Sequence, residues 1–170
     1  MTREYLKQVY NYLSSNHITF GTILESSDNL RYSMYSMTVS RVNTKVSFSL
    51  RIYEIKGYVA GISTSFEHLK EYKILGSKEE KNEKWLKDQK ILKFISTCEI
   101  GTCVRLDKEP FVVVDLRDDY MVMVSEKTLS MHTFEYHTLF YLSKKITVMR
   151  RKYKKEDADI LYIKCKLVQK

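Results

Sequence analysis

The sequence predicts an α+β fold: an N-terminal helix with an antiparallel β-meander, a charged helical connector, and a small C-terminal β-lobe built as a partial barrel or twisted sheet. Two observations lead to this class. Apolar residues near the start of the chain recur with helical spacing, whereas later segments alternate apolar and polar residues with a period of two. At 170 residues, the chain is long enough for one core or for two small lobes.

The first lobe begins with an amphipathic helix. Four apolar residues near the N-terminus share one helical stripe: Leu6, Val9, Tyr10 and Leu13. A helix is therefore expected over 3–14, with Thr2 as its N-cap. Four strands follow, and the turn sequences between them predict the ranges 17–25, 30–42, 45–56 and 58–63. Ser65 is then expected to cap a helix that runs to about Leu75 and ends at Gly76.

The chain is expected to divide into three parts. Residues 1–76 form the first lobe, residues 77–97 a charged helical connector around Trp85, and residues 98–170 the small β-lobe. Short apolar stretches separated by turn sequences predict the strands of this lobe over 101–106, 111–116, 120–125, 137–142, 146–150 and 160–168. The last strand is predicted because apolar and polar residues alternate along it.

The sequence also indicates a compartment. No apolar run approaches the length of a membrane helix, and the N-terminus lacks the apolar core of a signal peptide. Three cysteines are too few, and odd in number, for a disulfide framework. We therefore expect a cytoplasmic protein, in the producing or host cell, with no membrane partner. Homo-oligomerisation is left open.

The net charge of +8 is concentrated at the C-terminal end, where residues 144–170 hold ten basic and three acidic side chains. Closely spaced cations with aromatic rings among them are typical of nucleic-acid binding. The candidate binding residues are Arg150, Arg151, Lys152, Tyr153, Lys154, Lys155, Tyr162, Lys164 and Lys166. Lysines on an edge strand also deter aggregation, so a merely solvated surface is the competing interpretation.

A second candidate site would cut phosphodiester bonds. Asp28 lies in the turn after the first predicted strand, and Glu54 and Lys56 end the third, where period-two geometry puts both on one face. Such carboxylates hold a divalent metal, with the lysine near the attacking water. This arrangement resembles the sequence skeleton of the PD-(D/E)xK nuclease superfamily, which implies catalytic roles for these three residues. The chain departs from that pattern because no proline precedes Asp28 and an extra strand separates the two elements.

Two residue pairs have spacings close to those of a Cys2His2 zinc site: Cys98 with Cys103, and His132 with His137. The gap between the pairs is longer than in a compact zinc finger. If the two cysteines share a strand, their opposite parity also puts them on opposite faces. Buried thiols and ordinary histidines are the simpler interpretation, so we expect neither a metal nor another cofactor.

The function expected first is that of a non-enzymatic binding protein that engages nucleic acid or a nucleoprotein complex. The chain has no Gly-rich phosphate loop and no Gly-x-Ser-x-Gly elbow. Lys, Ile, Asn and Tyr are residues that A/T-rich genomes tend to encode, and the chain's bias towards Lys and Tyr favours a phage or mobile-element source. An inhibitor of a bacterial defence nuclease, such as an anti-CRISPR, is one example. The alternatives are the metal-dependent nuclease and a structural protein–protein interaction module.

Overall fold

The computed structural model describes residues 2–42, 45–54, 61–76, 81–142 and 144–168, and for 35–42, 45–54 and 61–63 it describes the backbone alone. The helices of these residues are α1 (Arg3–Ser15), α2 (Phe66–Leu69), α3 (Glu83–Thr97), α4 (Tyr136–Leu139) and α5 (Lys155–Val168). The strands are β1 (Ile23–Glu25), β2 (Arg31–Val42), β3 (Lys45–Glu54), β4 (Gly61–Ser65), β5 (Lys73–Gly76), β6 (Thr102–Leu106), β7 (Glu109–Leu116), β8 (Tyr120–Ser125), β9 (Met131–Glu135) and β10 (Ile146–Lys152). None of these helices is both long enough and apolar enough to cross a bilayer.

The chain divides into two compact units. Gln8–Lys90 form the first unit, and Met1–Lys7 together with Ile91–Lys170 form the second. The first contains a five-stranded sheet in the order β4-β3-β2-β1-β5, and the second contains a five-stranded sheet in the order β10-β6-β7-β8-β9. All the pairings described within them are antiparallel, which confirms the α+β class, and neither sheet closes into a barrel among the described residues. The three-part division predicted from the sequence stays a prediction.

Helix α1 forms where the apolar stripe predicts it. The Thr2 hydroxyl accepts a hydrogen bond from the Tyr5 backbone N–H at 3.2 Å, which confirms the predicted N-cap. Leu6, Val9 and Leu13 are buried, so each turn of the helix contributes an apolar side chain to a core. Burial of this stripe, more than intrinsic helix propensity, keeps the segment helical.

The long hairpin of the first sheet also follows the prediction. The strands expected over 30–42 and 45–56 are found as β2 and β3, with Val42 opposite Lys45 in their register, and the turn expected at Asn43 and Thr44 lies outside the described residues. The strand expected over 17–25 is shorter, since only β1 pairs. The residues before it form a turn in which the Thr22 hydroxyl accepts a hydrogen bond from the Thr19 backbone N–H at 2.7 Å. The strand expected over 58–63 is described from the start of β4 onward.

Ser65 caps α2 as predicted, because its hydroxyl accepts a hydrogen bond from the His68 backbone N–H at 3.1 Å. The expected continuation of this helix to Leu75 is wrong, since α2 is a single turn. The chain then forms β5, which pairs with β1, and Gly76 ends this strand rather than a helix. A short segment has little conformational preference of its own, so pairing with the edge of β1 decides its structure.

The charged connector contains a packed helix, α3. It begins after Asn82, whose side-chain oxygen accepts a hydrogen bond from the Trp85 backbone N–H at 3.0 Å. Trp85, Leu92 and Ile95 are among its buried side chains, although six of its fifteen residues are charged. A few apolar anchors at helical spacing are therefore enough to make this segment part of the fold.

The second sheet contains most of the strands predicted for the C-terminal lobe. Those expected over 101–106, 111–116, 120–125 and 146–150 correspond to β6, β7, β8 and β10. The strand expected over 137–142 is wrong, because Tyr136–Leu139 form α4, and β9 precedes it without having been predicted. Tyr136 and Leu139 are both buried, and their separation of three residues is that of a helical turn.

The predicted last strand, 160–168, is also wrong, because this segment belongs to helix α5. Ala158 and Cys165 lie two helical turns apart and are both buried, and the helix packs on β7 and β8. Glu156 and Asp157 lie in its first turn and Lys166 in its last, an arrangement that the helix dipole favours. Alternating apolar residues suggested a strand, whereas the helix that forms buries Cys165 and leaves Ile163 and Leu167 exposed.

Candidate functional site

The structure splits the predicted basic binding residues into two groups. Positions 150–155 stay together at the end of β10, in the two-residue link after it, and at the first residue of α5. Tyr162, Lys164 and Lys166 were expected on one face of a strand, and this is wrong because they lie on α5. Lys166 is one turn from Tyr162, with its Nζ 4.1 Å from the centre of the tyrosine ring, whereas Lys164 lies on another side of the helix.

Arg151 and Tyr153 are held by a carboxylate of their own unit. The Arg151 guanidinium makes a bidentate pair with Glu126, with Nη2–Oε1 at 2.5 Å and Nη1–Oε2 at 3.0 Å. The Tyr153 hydroxyl donates a hydrogen bond to the same carboxylate at 3.0 Å. The hydrogen bonds from Arg151 lower the pKa of Glu126. Glu126 therefore neutralises Arg151 and holds both side chains in place, and their role in binding a partner stays a prediction.

Lys152 pairs with Glu99 through a hydrogen bond from its Nζ, and this bond lowers the pKa of the Glu99 carboxyl. Both side chains are exposed, half or more of each being open to solvent. Exposed pairs of this kind contribute little to stability. A phosphate competing for Lys152 would therefore displace Glu99 at small cost.

Three cations of the same stretch have no carboxylate partner among the described residues: Arg150, Lys154 and Lys155. All three side chains are exposed. They lie within six residues of one another, from the end of β10 to the start of α5, and are called the exposed row here. That this segment binds a partner stays a prediction.

An open cavity of about 490 Å³ lies beside this row. Arg3 and Lys7 of α1 line it together with Lys155 of α5. The carboxylate in its described lining is that of Glu99, which Lys152 already engages. Three cations around one partly neutralised carboxylate make the cavity electropositive, so it suits a phosphate or another oxyanion.

Arg3 is fixed at this cavity by backbone carbonyls. Its Nε donates to the Ile95 carbonyl at 2.9 Å and its Nη2 to the Cys98 carbonyl at 2.5 Å. These carbonyls lie at the C-terminal end of α3, where helical partners run out, so the guanidinium caps the helix. A guanidinium has five N–H donors, and these two bonds leave three of them. Arg3 is therefore oriented rigidly and keeps donors for a ligand.

Comparison of the chain with family models, with curated proteins and with solved structures finds no match. The site is therefore interpreted from its own residues. Within the described ranges, no three His, Cys, Asp or Glu side chains are grouped so that they could hold a metal ion. The cavity therefore offers positive charge and hydrogen-bond donors to a ligand.

Sequence analysis did not include Arg3 or Lys7 in the candidate site. A single arginine or lysine in an amphipathic helix is ordinary, so little in the sequence marks them. Lys7 falls outside the apolar stripe of α1, whereas Arg3 continues that stripe at i−3 from Leu6 and i−7 from Tyr10. Their proximity to Lys155 depends on packing between distant parts of the chain, which a local pattern does not encode.

The nuclease candidate lies in the first unit. Asp28 lines an open cavity of about 420 Å³, whose lining also includes Tyr32 and His68. Glu54 is the last residue of β3, and its backbone lies opposite Tyr32 in the β2–β3 register. Asp28 therefore shares a cavity with Tyr32, and Glu54 pairs with Tyr32 across the β2–β3 ladder. Lys56 falls outside the described residues. The catalytic trio stays a prediction.

The zinc candidates have separate surroundings. Cys98 and Cys103 are buried free thiols, and burial raises the pKa of each, which disfavours the thiolate that zinc binds. His132 Nε2 lies 3.0 Å from a neighbouring serine hydroxyl. His137 Nδ1 lies 3.3 Å from the Glu135 carboxylate. These local contacts account for the four residues without a shared metal.

Proposed function

We propose that this protein binds nucleic acid, alone or within a nucleoprotein complex, through one basic surface and without catalysis at that surface. The basic surface is defined here as Arg3, Lys7, Arg150, Lys154 and Lys155. The observation that carries the proposal is the convergence of Arg3, Lys7 and Lys155 on one open cavity, next to the exposed row that continues to Arg150. The net charge of the chain alone would not place these three cations around the same cavity.

The chemistry of these groups fits phosphates better than bases. Lysine ammonium and arginine guanidinium groups neutralise phosphate oxygens and release counterions, and this release drives non-specific binding. The aromatic residues of the segment are poorly placed for stacking, because Tyr153 and Tyr162 are partly buried against the core of their unit and Lys166 lies over one face of the Tyr162 ring. The surface is therefore suited to reading the backbone of a nucleic acid rather than its sequence.

The test is a fluorescence-anisotropy titration of labelled single- and double-stranded DNA and RNA, in EDTA, over a series of salt concentrations. We expect binding that weakens steeply with salt. Reversing Lys7 and Lys155 together (Lys7→Glu, Lys155→Glu) should weaken it at least tenfold and reduce the salt slope for duplex DNA by about 2, since each phosphate contact contributes about 0.9.

The matched control reverses two exposed lysines in turns of the same unit, Lys108→Glu with Lys127→Glu. This control changes the net charge by the same amount and leaves the cavity intact. Comparable losses in the two double variants would mean that overall charge, not the basic surface, causes binding. Failure of the unmodified protein to bind any of the probes at low salt would refute the proposal outright.

A second candidate function, the metal-dependent nuclease, is favoured by one observation. Asp28 and Tyr32 line the same cavity, and the β2–β3 register puts Glu54 opposite Tyr32. If this arrangement is catalytic, magnesium should support cleavage of DNA or RNA, and Asp28→Asn or Glu54→Gln should abolish it. Glu71→Gln, at another residue of the same cavity, is the control and should keep the activity. Cleavage that survives both of the first two changes would exclude this candidate.

A further inference from the structure

Helix α5 has an apolar stripe on the side that faces away from the sheet. Ile160, Ile163 and Leu167 are 52%, 57% and 64% exposed. Their spacing of three and four residues places them on one face of the helix. Ala158 and Cys165, which are buried against β7 and β8, lie on the opposite face. The helix is therefore apolar on two opposite sides.

This pattern differs from that of an ordinary surface helix. A helix that covers a sheet is expected to carry polar residues on its outer side, because only its inner side loses contact with water. Three large aliphatic side chains in a row, each more than half exposed, form a contiguous stripe rather than scattered exceptions. Such a stripe indicates a surface that another helix covers.

The charged residues on both sides of the stripe indicate which partner helix would be complementary to it. Asp157 and Asp159 belong to the first half of α5, and Lys164 and Lys166 to the second. Helical geometry places Asp157 and Lys164 along one flank of the stripe and Asp159 and Lys166 along the other. Each flank thus carries one negative charge towards the N-terminal end and one positive charge towards the C-terminal end.

We propose that α5 binds α5 of a second copy of this chain, antiparallel and about a two-fold axis. In that arrangement, Ile160 packs against Ile163 of the second copy. Lys164 then meets Asp157 of the second copy on one flank, and Lys166 meets Asp159 on the other. The two-fold axis repeats each of these contacts, so one helix face supplies both halves of an isologous interface.

The alternative orientation is disfavoured by the same charges. Two parallel copies in register would place Lys164 opposite Lys166 of the second copy, and Asp157 opposite Asp159 of the second copy. The antiparallel arrangement also aligns the helix dipoles favourably. A single helix pair buries less than the roughly 1,600 Å² of a standard interface, so we expect a concentration-dependent dimer rather than a permanent one. The inference is independent of the nucleic-acid proposal.

The first test measures mass by sedimentation equilibrium over a concentration series of the full chain. We expect a monomer–dimer equilibrium that Ile163→Glu shifts to monomer by at least tenfold in dissociation constant. Val148→Glu is the matched control, because Val148 is an equally exposed aliphatic residue of the same unit, at 53%, outside α5. A monomer at every concentration, or a dimer that Ile163→Glu leaves intact, would overturn the inference and leave the stripe to a different protein.

The second test addresses the antiparallel pairing itself. Asp157→Lys should weaken dimerisation, because it places two lysines opposite each other. Adding Lys164→Asp in the same chain restores opposite charges on that flank, so the double variant should recover most of the lost affinity. Circular dichroism before centrifugation confirms that each variant keeps its helices. If the double variant dimerises no better than Asp157→Lys, the antiparallel register is wrong.

Discussion

Arg151 and Glu126 form a bidentate ion pair that joins β10 to the turn after β8, with Nη2–Oε1 at 2.5 Å and Nη1–Oε2 at 3.0 Å. The Glu126 side chain is 19% exposed and the Arg151 side chain 45%. The Tyr153 hydroxyl donates to the same carboxylate. Arg151, which charge counting assigned to partner binding, therefore also links two elements of the second unit.

We expect Glu126→Ala to lower the free energy of unfolding by about 1 kcal/mol at neutral pH, a modest value because Arg151 is partly open to solvent. The pKa of Glu126 is lowered in the folded protein, so its stabilisation is present above the ordinary value of 4.5 and is lost as the pH falls through the lower folded value. Urea unfolding of both proteins at neutral and acidic pH measures this difference, which should shrink below pH 4.5.

The control for this prediction is Lys152→Ala, which removes the more exposed pair with Glu99. Its unfolding curve should coincide with that of the unmodified protein. A difference between unmodified protein and Glu126→Ala that stays constant across the acidic range would mean that the charge of Glu126 contributes nothing.

Gly101 is expected to tolerate no side chain. Its φ is 101°, a conformation that strains residues with a Cβ, and a Cβ built there would collide with the backbone carbonyl of Tyr153. Gly101→Ala should lower the free energy of unfolding by about 2–4 kcal/mol. Gly76→Ala is the control, since no neighbouring atom lies within 4 Å of the added carbon, and thermal unfolding should separate the two variants clearly.

The cysteines should be protected in the folded protein. Cys98, Cys103 and Cys165 are buried free thiols, and burial raises the pKa of each, which reduces the reactive thiolate. Alkylation by iodoacetamide, followed by mass spectrometry, should be slow in native buffer and should reach three modifications per chain in denaturant. Fast modification of one thiol in native buffer would contradict its burial.

Asn82 should stabilise the start of α3. Its side-chain oxygen accepts the hydrogen bond of the Trp85 backbone N–H, one of the donors that a helix start leaves without a partner. Asn82→Ala is expected to cost about 1 kcal/mol, whereas Asn82→Asp keeps an acceptor and should be nearly neutral. Equal chemical-denaturation midpoints for the two variants would show that the cap contributes no stability.

Patterns that are local in the chain were predictable. Helix α1, its Thr2 cap and the β2–β3 hairpin follow from apolar periodicity and turn residues alone. The α+β class follows from the same patterns. The prediction of helix or strand was wrong where a short segment fits both periods, as in α4 and α5. The choice there depends on tertiary packing against the sheet, which the local pattern does not encode. The prediction of a helix was also wrong at β5, because this segment pairs with the edge of β1 and the pairing makes it a strand.

The candidate site was predictable only in part. Arg150, Lys154 and Lys155 belong to a run of closely spaced cations, and a run is visible in the sequence. The pairing of Arg151 with Glu126, and the position of Lys7 at the cavity, both depend on contacts between residues far apart in the chain. Charge composition therefore indicates the region of the basic surface but not its members.

The second unit is built from two separated stretches, Met1–Lys7 and Ile91–Lys170, and this has a consequence for synthesis on the ribosome. Arg3 donates hydrogen bonds to the carbonyls of Cys98 and Asp118, so its partners are translated long after it emerges. The first unit, Gln8–Lys90, is continuous and complete much earlier. We expect the first unit to fold during translation, before the hydrogen-bond partners of Arg3 have been synthesised. The cavity beside Lys155 should therefore form last.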